Sequence, residues 1–392
     1  VTILIAARNA SATIERAVSS CVPDLEAHDA RLVLINDHST DDTVARARAV
    51  AGRRLHVIEA PDPGGIALAR QAGLDAVDTE FAAWLDADDE WVPGRMRRLG
   101  AMLRNGYDVA TEAIELCDGP TGASLHRLAV PSFLRGTGEA VRLFERNFLP
   151  GDTQIGFRVS EFRDAGGYDP AIAGPESYDL LLRALRRGAT FAFSDVAGYR
   201  MHAYPGSLSR NIPRQSSAVA SLLAKHDYED VRQLYRASGF SVRVSAWALV
   251  SMAMFCRDAE SALRFLDEAS PVTGDADEVI EPGGPWPHPE GWRRAFQRGT
   301  ILLLTGEHDR EAEAELRKAE ALAPTAEGAN NLGVALARLG RAGAAAAQFA
   351  AAESRFPGYA DAHDNGVAPS PSRITTHPLR RAPSRNDYAS AA

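Results

Sequence analysis

An alternation that begins at the first residues is what most constrains this chain. Short β-rich runs, Ile3 to Ala7, Leu32 to Ile35 and Leu55 to Glu59, alternate with helical segments, Ile14 to Cys21 and Thr43 to Val50. This βαβαβ order predicts an α/β domain, because neighbouring parallel strands need a crossover, usually a helix, to bring the chain back. Asp62-Pro63-Gly64-Gly65 then breaks the chain, and Ala67 to Val77 reads as a further helix. The apolar run Phe81 to Leu85 ends abruptly in Asp86-Ala87-Asp88-Asp89. An acidic turn at the carboxyl end of a strand lies where ligands bind in open α/β sheets.

The rest of the composition narrows the class. At 392 residues, 45% of them hydrophobic, the chain is long enough for two or three domains. A formal net charge of −9 gives no global attraction to nucleic acid or to an anionic bilayer. Cys21, Cys117 and Cys256 are far apart and form no pairing or zinc motif, which fits a reducing compartment. Apolar stretches such as Trp247 to Cys256 are much shorter than the roughly 20 residues a membrane-spanning helix needs, so no membrane span is expected. The opening Val1-Thr2-Ile3-Leu4-Ile5 reads as a buried strand rather than a signal peptide, so the expected location is cytoplasmic.

Beyond Ser207-Leu208-Ser209 the β signals fade, and Ser217 to Ala269 reads as helices. Glu281-Pro282-Gly283-Gly284-Pro285-Trp286-Pro287 cannot sustain a helix and reads as a linker. Further on, Gly299 and Gly333 lie 34 residues apart, as do Gly306 and Gly340, and Ala-rich helices end at Pro324 and Pro357. A 34-residue helix-turn-helix period is the tetratricopeptide signature; an ordinary Ala-rich hairpin is the alternative. The expected organisation is an α/β domain over 1–215, a helical region over 216–280, a linker over 281–292, repeats over 293–367 and a disordered Pro/Ser/Arg-rich tail over 368–392. Repeat helices build surfaces suited to peptides or to homo-oligomer formation. Trp84, Trp91, Trp247 and Trp292 read as packing residues.

Two acidic turns carry the chemistry. Repulsion among Asp86, Asp88 and Asp89 is relieved by a cation, and carboxylates suit Mg²⁺ or Mn²⁺, which bridge to substrate phosphates. A solvated turn capping the next helix is the plainer reading. The second turn, Asn36-Asp37-His38-Ser39-Thr40-Asp41, follows the strand Leu32 to Ile35 and reads alone as a helix N-cap.

Taken in order, strand, Asn-Asp-x-Ser-Thr-Asp, Gly-Gly-x-x-x-Ala-Arg, then strand with Asp-Ala-Asp-Asp, the chain from Val1 to Arg210 resembles the family 2 glycosyltransferases of the GT-A fold. The resemblance implies a nucleotide-sugar donor, UDP in type, held by Ala7, Arg8, Asn9, Asp37, Asp41, Arg70, Asp86 and Ala87. Within that set, Asp37 would bond the base, Asp41 would support its turn, Arg70 would reach the base or the diphosphate, and Asp86 would touch the ribose side. A divalent metal would lie on Asp88, with Asp89 beside it. Tyr199-Arg200-Met201-His202, followed by Ser207-Leu208-Ser209, looks like the family's late motif, whose His202 would complete the metal site.

The sequence departs from the family in two places. Ala6-Ala7-Arg8-Asn9 stands where Pro-x-Tyr-Asn is usual, so Arg8 replaces the ring that would stack on the base. Gly166-Gly167-Tyr168-Asp169 and Pro175-Glu176-Ser177-Tyr178-Asp179-Leu180 resemble two further family segments, but Ser177 occupies the position of the general base. Serine needs activation to take a proton, so the catalytic candidates are Glu176, Ser177 and Asp179. A thiol acceptor that ionises unaided and an inactive domain are the other readings. The pairing with helical repeats resembles bacterial peptide S-glycosyltransferases, which makes a peptide the first choice of acceptor. A saccharide or small-molecule acceptor and a non-catalytic scaffold are the alternatives.

Overall fold

The structure, a computed structural model, describes all residues except 137, 152, 173, 205–211, 270–283, 378–389 and 392. It divides into two compact units, Val1–Ala140 with Asn147–Leu208, and Val141–Arg146 with Ser209–Ala392.

The first unit is α/β. Its elements are β1 (Thr2–Ala7), α1 (Ile14–Ala27), β2 (Arg31–Asn36), α2 (Thr43–Ala51), β3 (Leu55–Glu59), α3 (Ile66–Ala76), β4 (Phe81–Trp84), β5 (Glu90–Trp91), α4 (Arg95–Arg104), β6 (Val109–Asp118), β7 (Ser124–Leu128), β8 (Ile155–Arg158), α5 (Val159–Asp164), α6 (Glu176–Arg186) and β9 (Phe191–Ala203). The strands form one sheet in the order β3-β2-β1-β4-β8-β6-β9-β5, with β7 on β6. Strands β1 to β4 pair in parallel, and β8 runs antiparallel between β4 and β6.

Both faces of the parallel half are covered, which is why its strands read as nearly continuous apolar runs. Ile3, Ile5, Leu32 and Leu34 pack with Ile14, Val18, Cys21 and Leu25 of α1 in one core cluster. On the opposite face Gly73 of α3 lies so close to Ile35 and Trp84 that a Cβ would come within 2.9 Å of both. Beneath the antiparallel half is a buried charge cluster. Glu112 on β6 is fully buried between Arg95, 3.1 Å away, and Arg98, 2.6 Å away.

The second unit is helical over most of its described length: α7 (Ile212–Leu223), α8 (Tyr228–Ala237), α9 (Val242–Phe255), α10 (Ala259–Ala269), α11 (Glu290–Thr305), α12 (Asp309–Leu322), α13 (Ala326–Arg338), α14 (Ala342–Arg355) and α15 (Ala360–Val367), followed by the short strand β10 (Ile374–Thr375). Helix α11 packs on α12, and α13 on α14. Within each pair the glycine of the 34-residue spacing is the point of contact: a Cβ on Gly299 would lie 2.7 Å from Leu316, and one on Gly333 2.4 Å from Phe349.

Three expected boundaries move. Residues Val141–Arg146 belong to the helical unit, where Glu145 accepts a 2.8 Å bond from the Tyr235 hydroxyl and Arg142 lies over the Phe240 ring. The expected linker over 281–292 gives way to α11 at Glu290, and its first residues lie outside the described set. The tail expected to be disordered from Ala368 is ordered as far as His377: Ile374, Thr375, Thr376 and His377 are all at most 3% exposed. Its composition predicted disorder, but buried partners on α13 and α15 supply the contacts that local sequence lacks. The four tryptophans expected to pack, Trp84, Trp91, Trp247 and Trp292, are at most 2% exposed. Among the described residues no helix is long and apolar enough to cross a membrane.

Glu112→Ala leaves the fully buried Arg95 and the partly exposed Arg98 without their shared anion, and removing one partner of a buried pair costs roughly 3–5 kcal/mol. A denaturant titration of the variant is expected to show a loss of that order, with an unchanged slope.

Candidate active site

The chain order reverses at β1, which lies between β2 and β4, so the loops leaving β1 and β4 open the crevice in which such sheets bind ligands. The loops after β1 and β2 interlock there. Asn9 donates its N–H to Ser39 Oγ at 3.0 Å and accepts the Thr40 N–H at 2.8 Å. Asp41 accepts the N–H groups of Ser11 and Thr43 at 3.0 and 3.1 Å. Hydrogen bonds from the side chains of Thr43 and then Ser11, reinforced by these N–H groups, hold its carboxyl well below the usual carboxylate range. Arg8 is the exposed member, with its guanidinium 3.8 Å from Asp37.

Asp37 closes the next loop onto this edge. Its two oxygens accept the Gly65 N–H at 3.0 and 3.2 Å, at the start of α3. Gly64 has φ +81° and passes so near that a Cβ would lie 2.5 Å from Asp37 Oδ1, so only glycine fits. His38 joins Asp37 at 3.3 Å and Asp62 at 2.9 Å through its two ring nitrogens.

Arg70 was expected to reach the donor. The structure instead gives its guanidinium, 5% exposed, to the site's own side chains. It donates to Thr153 Oγ1 at 2.7 Å and to Ser177 Oγ, and pairs with Asp86 at 3.3 Å and Glu176 at 3.4 Å. The face of Trp84 lies 5.5 Å from it, and the Trp84 indole donates to the Tyr168 hydroxyl at 2.7 Å. One cation therefore gathers Asp86, Thr153, and the adjacent Glu176 and Ser177 from three separate segments. Asp86 also accepts from the Gln154 amide. Glu176 accepts the Gly174 N–H at 3.1 Å. Asp179 is drawn elsewhere: it is 1% exposed and bound 2.7 Å from Arg183, whose guanidinium donates in turn to the carbonyls of Ala165 and Gly167.

The acidic turn is divided between inside and outside. Asp86 retains partial exposure, and Ala87 packs at the edge of the core. Asp88 has its backbone carbonyl bonded by Arg16 of α1, which also reaches the Tyr204 hydroxyl at 3.0 Å. Asp89 is 3% exposed and accepts the His202 N–H at 2.7 Å. Burial, then the charges of Asp88 and Asp86, push its carboxyl well above the usual range. The His202 imidazole bonds Glu90 through Nε2 at 2.6 Å, while Nδ1 has no hydrogen-bond partner among the described residues. Among those residues no three His, Cys, Asp or Glu side chains gather as a metal cage. The oxygen donors of Asp86 and Asp88 still suit Mg²⁺ or Mn²⁺, which need only one or two protein carboxylates beside water and substrate phosphates.

Arg16, Glu90, Thr153, Gln154 and Tyr199 were not singled out from the sequence. Glu90 adjoins the acidic turn and Tyr199 opens the late motif, so both were within reach of motif reading. Thr153 and Gln154 lie in a loop without pattern. Ser207-Leu208-Ser209 of that motif lies outside the described residues.

The His38 ring is expected to titrate above the ordinary 6.5, because first Asp37 and then Asp62 bond its protonated form. A raised histidine value stabilises the fold below pH 6.5, and that contribution disappears as the pH climbs through the raised value. An NMR titration checks this, with Asp62→Asn expected to lower the midpoint.

Comparison with known proteins agrees with this geometry. Residues 2–164 match glycosyl transferase family 2. The chain is 30% identical over 281 residues to the succinoglycan biosynthesis protein ExoU of Rhizobium meliloti, a match covering 67% of this chain and 73% of that one. It is also 30% identical over 230 residues to ExoO of the same organism, covering 62% of that protein, and 28% identical over 204 residues to the pre-mycofactocin glycosyltransferase of Mycobacterium tuberculosis, covering 41%. The crystal structure of S. aureus TarS 1–349 in complex with UDP-GlcNAc superposes with a TM-score of 0.51 at 13% identity, over 90% of this chain and 91% of that one, which shows a common fold. The mixed sheet with an acidic turn after each of β2 and β4, and these relatives, place the chain in glycosyl transferase family 2.

Proposed function

We propose that the first unit transfers a sugar from a UDP-type nucleotide sugar, with inversion, to a hydroxyl of a saccharide acceptor. The observation that carries this is the Arg70 cluster, which holds Asp86 and Glu176 together at the sheet's reversal point, beside the loop that Asp37 closes. The exposed Arg8 guanidinium supplies a planar cation for the base or the diphosphate. A divalent cation held by Asp88, with Asp86 adjoining, would neutralise charge on the diphosphate leaving group. Since Glu90 takes His202 Nε2, Nδ1 is the ring nitrogen left to face such a cation.

In the reaction the acceptor oxygen attacks the anomeric carbon from the face opposite the diphosphate. The carbon–oxygen bond to the diphosphate breaks, and the acceptor proton passes to Glu176. Ser177, in the place of the usual base, is a hydrogen-bond partner of Arg70, so its hydroxyl helps fix the guanidinium that orients Glu176. Asp179 is assigned to Arg183 and Asp89 to His202, both as supports of the fold. A saccharide replaces the peptide as first choice of acceptor because ExoU and ExoO are named for the synthesis of a polysaccharide.

Calorimetry with UDP-sugars is expected to register binding only with Mn²⁺ or Mg²⁺ present, and none in Asp88→Ala; equal, metal-independent binding by both proteins would sink the proposal. Glu176→Gln is expected to keep donor affinity while turnover falls roughly 10²-fold to 10⁴-fold, the usual contribution of a general base. A steady-state assay of nucleotide release with a saccharide acceptor checks it.

A further inference from the structure

His202 is held at two points by consecutive residues at the acidic turn. Its backbone N–H bonds Asp89 at 2.7 Å, and its ring Nε2 bonds Glu90 at 2.6 Å. The ring lies inside, with the His202 side chain 1% exposed, while the Glu90 side chain keeps 21% exposure. Strand β5 carries Glu90 and pairs antiparallel with β9, which sets Glu90 opposite Arg200, two residues before His202. Alternate residues of a strand share a face, so Arg200 and His202 meet Glu90 from one side of β9.

Two arginines flank the same carboxylate. Arg16 of α1 lies 3.7 Å from it and Arg200 3.8 Å, both beyond hydrogen-bond reach. The short bond therefore goes to the imidazole, and the guanidinium groups balance the charge of the carboxylate from either side. Arg16 also donates to the main-chain carbonyl of Asp88. One side chain of α1 thus ties the acidic turn at Asp88 and pairs with the residue that holds His202.

A carboxylate accepts hydrogen bonds and donates none, so Nε2 carries the ring hydrogen in this pair. The lone pair of the neutral imidazole is then at Nδ1. That atom is buried and has no hydrogen-bond partner among the described residues. Buried polar atoms are nearly always satisfied, and an orphan of this kind beside a carboxylate turn calls for a ligand. A histidine that binds a metal through one nitrogen gives its other N–H to a carboxylate, a carbonyl or water, which fixes the tautomer and raises the basicity of the ring.

We propose that Glu90 is a positioning residue of the donor site. It holds His202 as the Nε2–H tautomer and so keeps the Nδ1 lone pair for the divalent cation that accompanies the diphosphate. Arg16 keeps Glu90 and the main chain of Asp88 in register. This role rests on the metal-assisted transfer proposed above, whereas the tautomer itself does not.

The full chain, isotope-labelled at its histidine nitrogens, reports the tautomer directly by NMR, since protonated and bare ring nitrogens resonate far apart. His202→Gln identifies the signals. Without metal, His202 is expected to show a protonated Nε2 and a bare Nδ1; Mg²⁺ with UDP is expected to shift Nδ1 and leave the Nε2–H in place. In Glu90→Ala the two tautomers are expected to mix. Its Mn²⁺ affinity in the presence of UDP, read from the paramagnetic resonance signal of the free ion, is expected to fall roughly 10-fold to 100-fold, the usual effect of losing such a partner. Circular dichroism melting checks that the variants fold. A proton on Nδ1 of the unmodified chain overturns the proposal even if Glu90→Ala does not fold. An unchanged tautomer in folded Glu90→Ala, or Mn²⁺ affinity unchanged there while Asp88→Ala loses it, overturns it and leaves the metal reading intact. Equal Mn²⁺ affinity in the unmodified chain and both variants overturns that reading as well.

Discussion

The site depends on one buried cation. Arg70 lies on α3, yet its partners come from the turn after β4, the loop before β8 and the first turn of α6. Two carboxylates brought this close repel each other and are costly to desolvate, and a guanidinium between them offsets both penalties with directional bonds. The cation is itself fixed by the Trp84 face, and Trp84 by Tyr168, so the hydrogen-bonded layer extends back to the Gly166-Gly167-Tyr168-Asp169 turn. A second buried cation sustains the adjoining wall. Arg95 neutralises Glu112 and donates to the Gln154 carbonyl at 2.7 Å, and the Gln154 side chain binds Asp86.

This arrangement changes the meaning of Ser177. Read along the chain, a serine where a base is usual looks like a loss. In three dimensions it bonds the Arg70 guanidinium beside Thr153, and the adjacent Glu176 pairs with the same cation. Helix α6 then carries two separate electrostatic tasks one turn apart. Glu176 engages Arg70, while Asp179 and Arg183 staple the helix to the preceding glycine turn.

Periodicity and turn chemistry made the α/β half legible, because strands buried on both faces and glycine-rich breaks leave local signatures. The acidic turns were placed correctly at strand ends for the same reason. What the sequence could not disclose were pairings between residues far apart along the chain. Arg70 meets Ser177 across 107 positions and His202 meets Asp89 across 113, and nothing local distinguishes such a partner from a ligand contact. The tail failed for a related reason: a Pro- and Ser-rich composition reports only on what a segment can do alone, and Ser372 to Thr375 is held by Asn365 and, farther upstream, by Asn330 and Asn331. The glycine spacing picked out where α11 meets α12 and α13 meets α14, whereas the amides sharing that spacing, Asn331 and Asn365, went unnoticed among polar residues of ordinary appearance.

The close glycine contacts also limit how this unit can change in evolution. Gly299 and Gly333 admit Leu316 and Phe349 at distances no larger residue permits, so each helix pair is keyed at a single point. An insertion or deletion of a few residues would move every key out of its slot. Gain or loss of a complete helix pair would leave each surviving pair undisturbed, so the helix pair is the smallest increment in which this half of the protein can lengthen or shorten and still pack.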